Sequence, residues 1–321
     1  MKWLLSLIMA TSVASAFAQN HVRFIITGDD RWAGGKARPG EDENGVNVAA
    51  MRRIVKAIVA EKPDVLLFNG DLVGGAKTDE AELSQFETWK QVMMPIYNAG
   101  IKVLAARGNH EAGCPHPDDV WHKVFTGKFA NPTTGPTGEE GLTYAYTFKN
   151  CLFISLDQFG PSGVTGNLDW FDKVIDANHA PHIFVFSHKM AFFSGSHTDG
   201  MWTAADKRDH FIDKLVKAGA RTVFFGHDHL YDHVEARLPS WPAGQSIHQF
   251  VIGTAGAPFY TGKTPPADGD WQLKHVSHIE QKYGYAVVDI DGPKVKLVFK
   301  AEKEPGVFET ADTLTYTLPK K

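Results

Sequence analysis

Three short apolar runs, separated by helix-period stretches and each closed by a glycine beside a carboxylate or amide, constrain this chain more than any other feature. His21–Thr27 is apolar and β-branched and ends in Gly28-Asp29. Asp64–Phe68 ends in Asn69-Gly70-Asp71, and Lys102–Ala106 leads through Arg107 into Gly108-Asn109-His110-Glu111. Between the runs, Val48, Met51, Ile54, Val55, Ile58 and Val59 recur at the spacing of one helix face, and Pro63 follows as a stop. Leu83, Phe86, Trp89, Val92 and Ile96 repeat that pattern up to Gly100. Strand, helix, strand, helix, strand implies a parallel sheet with crossover helices. Such sheets bind ligands outside the carboxyl ends of their strands, and all three polar motifs fall there.

The rest of the chain suggests a second sheet. Glu111–Gly141 holds many Gly, Pro and Thr residues and is expected to form an irregular cap over the cleft. Thr143–Phe148 and Cys151–Leu156 read as a hairpin turning at Lys149-Asn150, where the chain switches sheets. Leu168, Phe171, Val174 and Ile175 mark a helix before the strand His182–Phe186, which ends in Ser187-His188. Phe211, Ile212, Leu215 and Val216 mark another before Thr222–Phe225, which ends in Gly226-His227-Asp228-His229. Gln249–Ile252, Tyr285–Ile290 and Lys294–Lys300 are strand-like with no long helical face between them, so the carboxyl-terminal part is expected to be mostly β and to close the second sheet. No repeat or linker divides the chain. The expected architecture is a single α/β domain over residues 19–321: a two-sheet β-sandwich flanked by helices, with its site at the carboxyl ends of the strands.

Residues 1–18 read as a secretory signal peptide, with Lys2 before the apolar run Trp3–Val13 and Ala16-Phe17-Ala18 before a mature start at Gln19. That run is shorter than the ~20 apolar residues a membrane anchor needs. A periplasmic or secreted protein is expected. The formal charge of −4, without a basic block, argues against a nucleic-acid groove or a membrane-binding face. Cys114 and Cys151 suit either one disulfide or two buried thiols. The sequence leaves the oligomeric state open.

Two divalent cations ~3.5–4 Å apart can clamp a phosphate and stabilise both attacking and leaving oxygens. Such a pair needs a bridging carboxylate and mixed nitrogen and oxygen ligands from several loops. Asp29, Asp71, Asn109, His188, His227 and His229 stand at suitable positions. Taken singly, each is ordinary turn chemistry. Together, at the ends of five strand-like runs, they point to metal.

The ordered set Gly28-Asp29-x-Arg31, Gly70-Asp71, Gly108-Asn109-His110-Glu111, Ser187-His188 and Gly226-His227-x-His229 resembles the calcineurin-like metallophosphoesterases, the family that includes purple acid phosphatases. The resemblance implies a double β-sandwich with a dinuclear site of two divalent ions, for which manganese, iron or zinc would suit these borderline ligands. It implies that Asp71 bridges the ions, that Asn109, His188 and His227 complete one site, and that Asp29 and His229 serve the other. His110 would be a catalytic group rather than a ligand, either protonating the leaving oxygen or stabilising charge on the phosphoryl group, with Glu111 orienting it. The nucleophile would be a metal-activated hydroxide.

Two departures from the family pattern stand out. Many members carry a histidine two residues after the first aspartate; this chain has Arg31, which cannot ligate a metal. Strand-like alternation would turn Arg31 to the same side as Asp29. It would then either hold a substrate phosphate oxygen or pair with Asp30 or a loop carboxylate. Purple acid phosphatases also place a tyrosine three residues after the bridging aspartate; here Gly74 stands there, so no iron–tyrosinate centre is expected.

Phe192, Phe193, His197 and Trp202 in one loop, and Phe259 with Tyr260 in another, would either stack an aromatic substrate or pack the cap. His21, His116, His122, His179, His182, His210, His248, His275 and His278 fit no motif and are read as ordinary polar residues. The sequence thus predicts an exported, metal-dependent phosphoesterase acting on a small phosphate ester, foremost a phosphomonoesterase. The alternatives are a phosphodiesterase acting on nucleotides or lipid headgroups, and a catalytically impaired phosphate- or metal-binding protein on the same scaffold.

Overall fold

The computed structural model describes residues 21–32, 43–263 and 268–319. The expected signal peptide, the mature start at Gln19 and most of the loop after Trp32 lie outside the described residues.

The leading pattern folds as read. Strand β1 (His21–Thr27) is followed by helix α1 (Val48–Glu61), strand β2 (Val65–Phe68), helix α2 (Asp79–Asn98) and strand β3 (Lys102–Ala105). The three strands pair in parallel, with Phe24 opposite Val65 and Leu66 opposite Val103. Asn47 caps α1, its Oδ1 accepting the amide of Ala50 at 3.0 Å. Thr78 caps α2, whose first turn carries Asp79, Glu80 and Glu82, as the helix dipole favours. The strand period of two divides the β1 side chains cleanly. Phe24 and Ile26 face the second sheet, while Ile25 packs against the helices.

The hairpin β4 (Tyr144–Phe148) and β5 (Cys151–Ser155) opens the second sheet, as expected. Helix α3 (Pro117–Val124) precedes this hairpin, and helix α4 (Leu168–Asp176), strand β6 (His182–Phe186), helix α5 (Ala205–Ala218) and strand β7 (Thr222–Phe225) follow it. The remaining strands are β8 (Tyr231–Arg237), β9 (Ile247–Ile252), β10 (Gln272–Ile279), β11 (Gly284–Asp291), β12 (Lys294–Glu304) and β13 (Val307–Thr317). One sheet runs β13-β12-β11-β1-β2-β3 and the other β10-β8-β9-β7-β6-β5-β4. They pack face to face through Phe24, Phe153, Phe184, Phe224 and Phe250, with Phe24 edge-on to Phe153 at 5.1 Å. Helices α1–α3 cover the outer face of the first sheet, and α4 and α5 that of the second.

Two expectations need correcting. Glu111–Gly141 is not an irregular cap throughout: it contains α3, which buries Val120, Trp121 and Val124 in the first core, with Trp121 ring-to-ring against Phe125. The carboxyl-terminal strands do not all close the second sheet. β8, β9 and β10 do, but β11 returns to pair antiparallel with β1, and β12 and β13 extend that first sheet. The reason is packing: Ala286, Val288 and Ile290 fill the gap between the sheets while Tyr285 and Val287 meet the helices, which suits an inner strand. Cys114 and Cys151 are both free and buried.

Candidate metal centre

The carboxyl ends of β1, β2, β3, β6 and β7 meet at one rim, and the backbone there is bent hard. Asp29, Asp71 and His227 have φ of 61°, 52° and 73°. These are left-handed conformations that cost a non-glycine residue on the order of 1–3 kcal/mol and that gather at functional sites. The flanking glycines are required by close approach. A Cβ at Gly108 would lie 2.2 Å from Asp71 Oδ1, and one at Gly226 would lie 2.3 Å from Asp29 Oδ2.

The expected ligands converge in two halves. In the first, His188 Nδ1 lies 2.8 Å from the carbonyl of Asn69, so its proton sits there and Nε2 presents a lone pair. That lone pair faces Asn109 Oδ1 at 2.9 Å, His227 Nδ1 at 3.1 Å and Asp71 Oδ1 at 3.3 Å. His227 is fixed in the matching tautomer, its Nε2–H donating to Asp199 Oδ1 at 3.0 Å. Four acceptor atoms thus meet with no proton among them, an arrangement unfavourable unless a cation fills it. Ligand atoms held ~2.1 Å from one ion at 90–109° would lie ~3.0–3.4 Å apart, so the donor set fits a divalent ion.

The second half is different. His229 donates Nδ1–H to the carbonyl of Pro258 at 2.6 Å and turns Nε2 inward, 3.7 Å from Asp29 Oδ1. The guanidinium of Arg31 already occupies this space. Its Nη2 lies 3.3 Å from His229 Nε2 and 3.0 Å from the hydroxyl of Tyr260, and its Nε is 3.5 Å from Asp71 Oδ2. Of the pairings open to Arg31 in the sequence, Asp30 or a loop carboxylate, the structure has the second: the partner is Asp71, in the loop after β2. Asp29, Asp71 and His229 would accept an ion here only with Arg31 displaced.

Electrostatics agree with this division. Burial and the neighbouring Asp71 push the Asp29 carboxyl well above its usual range. Burial pushes Asp71 up as well, but His188, His110 and Arg31 outweigh it and hold this carboxyl low. Burial drives His188 down to about 3, which keeps it a neutral donor. His229 is lowered by burial and by the Arg31 charge.

His110 stands beside the ligands and is partly open to solvent. Its Nδ1–H donates to the carbonyl of Gly74 at 2.5 Å, and its Nε2 lies 3.9 Å from Asp71 Oδ2. It lines a cavity of about 370 Å3 with Gly74, Gly75, Lys77 and Asn109. Glu111 does not orient His110. Its carboxylate instead accepts the amides of Asp71 and Val73 at 3.0 Å and of Gly108 at 2.7 Å, clipping the β2 loop to the β3 loop.

Sequence reading misses Asp199 and Asp228, and it takes His197 and Tyr260 only as aromatics that stack a substrate or pack the cap. Asp199 sets the His227 tautomer and pairs with Lys189 at 2.7 Å. Asp228, inside the Gly-His-x-His motif, accepts the amides of Ser196 and His197, and His197 stacks on His227 at 3.8 Å. Tyr260 stacks on His229 at 3.9 Å. No strand-like run precedes Asp199, so pattern alone could not mark it. Phe192 and Phe193 are buried as packing, and Phe259 leans on Tyr283.

Comparison with known proteins agrees with this geometry. The family model for calcineurin-like phosphoesterases matches residues 22–231. The human serine/threonine-protein phosphatase CPPED1 is 25% identical over 219 residues, covering 62% of this chain and 64% of that protein. This chain therefore spans less than two thirds of that relative's length. Among solved structures, the purple acid phosphatase PPD1 of yellow lupin seeds superposes with a TM-score of 0.64 at 16% identity, covering 92% of this chain and 54% of that one. GAP50, described as the anchor in the inner membrane complex of Plasmodium, gives 0.64 at 14% identity, with 94% and 90% covered. At these identities the two structures show a shared fold. With the family model matching residues 22–231, which carry β1–β7 and every motif gathered at the rim, the chain belongs to the calcineurin-like phosphoesterase family.

Proposed function

We propose that this protein is an exported, metal-dependent phosphoric ester hydrolase acting on phosphomonoesters. The observation that carries the reading is the proton-free meeting of Asp71, Asn109, His188 and His227 beside a partly open histidine. These four residues would hold one ion, and Asp29, Asp71 and His229 a second, weaker one. When bound, such ions supply Lewis acidity toward the phosphoryl oxygens and make water acidic enough to attack near neutral pH. This chain's own groups do the rest. His110, with Nδ1–H held by Gly74 and Nε2 3.9 Å from Asp71 Oδ2, would deliver a proton to the departing oxygen from its imidazolium form, which carries the second proton on Nε2 beside the Asp71 carboxylate. Once a second ion displaces it from His229 and Asp71, Arg31 can turn a guanidinium N–H to a phosphoryl oxygen, which favours the more highly charged monoester.

The position of Arg31 also supports a second reading, a phosphate- or metal-binding protein of little catalytic power, since its cation stands where a second ion would go. The deciding experiment is hydrolysis of an aryl phosphomonoester, an aryl phosphodiester and a phosphoserine peptide, each with chelator and with manganese restored. Chelator-sensitive monoester turnover supports the proposal, and turnover of the diester alone replaces monoester with diester. No turnover with manganese, iron or zinc would transfer the case to the binding protein.

A further inference from the structure

Away from this centre, the edge of the second sheet carries another cluster of metal-type side chains. Asp232, on β8, is fully buried, and its Oδ1 lies 3.0 Å from His275 Nδ1 and 2.9 Å from His278 Nδ1, both on β10. Residues three apart on a regular strand point to opposite faces. Here the β8–β10 register shifts between His275 and Ser277, and this bulge turns both imidazoles onto one carboxylate. The second Asp232 oxygen, Oδ2, and His275 Nε2 are buried without a hydrogen-bond partner among the described residues. A buried carboxylate left half unsatisfied is costly, which marks a missing partner.

We propose that Asp232, His275 and His278 form a second, separate binding site for a borderline divalent cation of the Zn2+ type. Two imidazole nitrogens and a carboxylate oxygen are a donor set suited to zinc, and all three atoms lie within 4.8 Å of one another. Glu280 completes the arrangement, its Oε1 lying 3.1 Å from His278 Nε2. Without an ion, His278 bridges two carboxylates as an imidazolium. On binding, the ion takes His278 Nδ1, whose proton leaves to solvent while Nε2–H stays on Glu280, and it takes His275 Nδ1, whose proton moves to Nε2 of the same ring, as second partners of ligating histidines commonly arrange. His275 and His278 keep 27% and 33% of their side chains exposed, so the ion enters from solvent and retains water in its open positions. The same Glu280 oxygen accepts the amide of Gly262, two residues beyond Tyr260, so occupancy would also brace the loop that reaches Arg31.

The test is the Zn2+ stoichiometry of the full chain, measured by calorimetry and metal analysis in an Asp71→Asn background that weakens the main centre. Adding His275→Ala, or separately His278→Gln, should remove one equivalent of Zn2+ relative to Asp71→Asn alone, with thermal melts confirming that each variant is folded. Equal stoichiometry in all three proteins, or no zinc uptake by the Asp71→Asn protein, would overturn the proposal. Because the readout is bound metal, it is independent of whether the main centre hydrolyses esters.

Discussion

Replacing Arg31 with alanine should convert the weak half of the main centre into a tight cation site. Arg31 is 8% exposed, and its Nε stands 3.5 Å from Asp71 Oδ2. Unit charges at 3.5 Å attract by about 5 kcal/mol at an effective dielectric of ~20. Allowing for desolvation, roughly half of that survives as the advantage a second ion must overcome, about 2–3 kcal/mol or on the order of a hundredfold in affinity. Removal also frees His229 Nε2 from its contact with Arg31 Nη2. Titration of metal-free protein with Mn2+, followed by calorimetry and metal analysis, should show one tight and one weak event in the wild type. Arg31→Ala should bind both ions tightly, the second tightening on the order of a hundredfold. If the wild type already binds two ions tightly and Arg31→Ala leaves both affinities unchanged, the guanidinium does not compete for that space and the reasoning fails. KM for an aryl phosphomonoester, measured on the same variant with saturating metal, reads the second role: it rises if Arg31 also holds phosphate.

His110→Ala should retain metal while kcat falls by about 10²–10⁴-fold, the usual worth of a positioned proton donor; unchanged turnover would remove that role. Asp199→Ala, which releases His227 Nε2, should weaken the tight ion by about 10–100-fold in a chelator competition without altering the circular dichroism spectrum. Glu82, fully buried in the first turn of α2, has its carboxyl pushed up to about 7, chiefly by burial with Asp79 adding to it. A carboxyl raised in the fold stabilises it below the free-chain value and loses that contribution as pH rises through about 7. Glu82→Gln should therefore gain on the wild type by up to about 3 kcal/mol between about pH 4 and pH 9 in denaturant unfolding; a gap independent of pH would contradict the shift.

How much of this could be read from the sequence depended on how each residue is announced. β1, β2 and β3 are buried on both faces, so their apolar runs stand out against the helix-period stretches around them. The six ligand candidates each follow such a run within a few residues, and glycine marks the turn beside most of them. β10 gave no such signal. It is an edge strand of Gln272, Lys274, His275, Ser277 and His278, one side open to solvent, and its polar alternation resembles a loop. β13 escaped for the same reason, and α3, at eight residues, is too short for its period to show. His275 and His278 therefore looked ordinary, because what joins them is a register shift against β8 rather than their spacing. Asp199 and Glu111 act through contacts between loops distant in the chain, which no local pattern encodes.

The Glu111 carboxylate has a consequence for motion. It accepts the amides of Asp71, Val73 and Gly108, from two different loops, so neither loop can open without stranding buried carboxyl oxygens that the other loop still holds. Hydrogen exchange at these amides is then a joint event: the loops behind the ligands release as one cooperative unit, and an ion bound at Asp71 slows all three together.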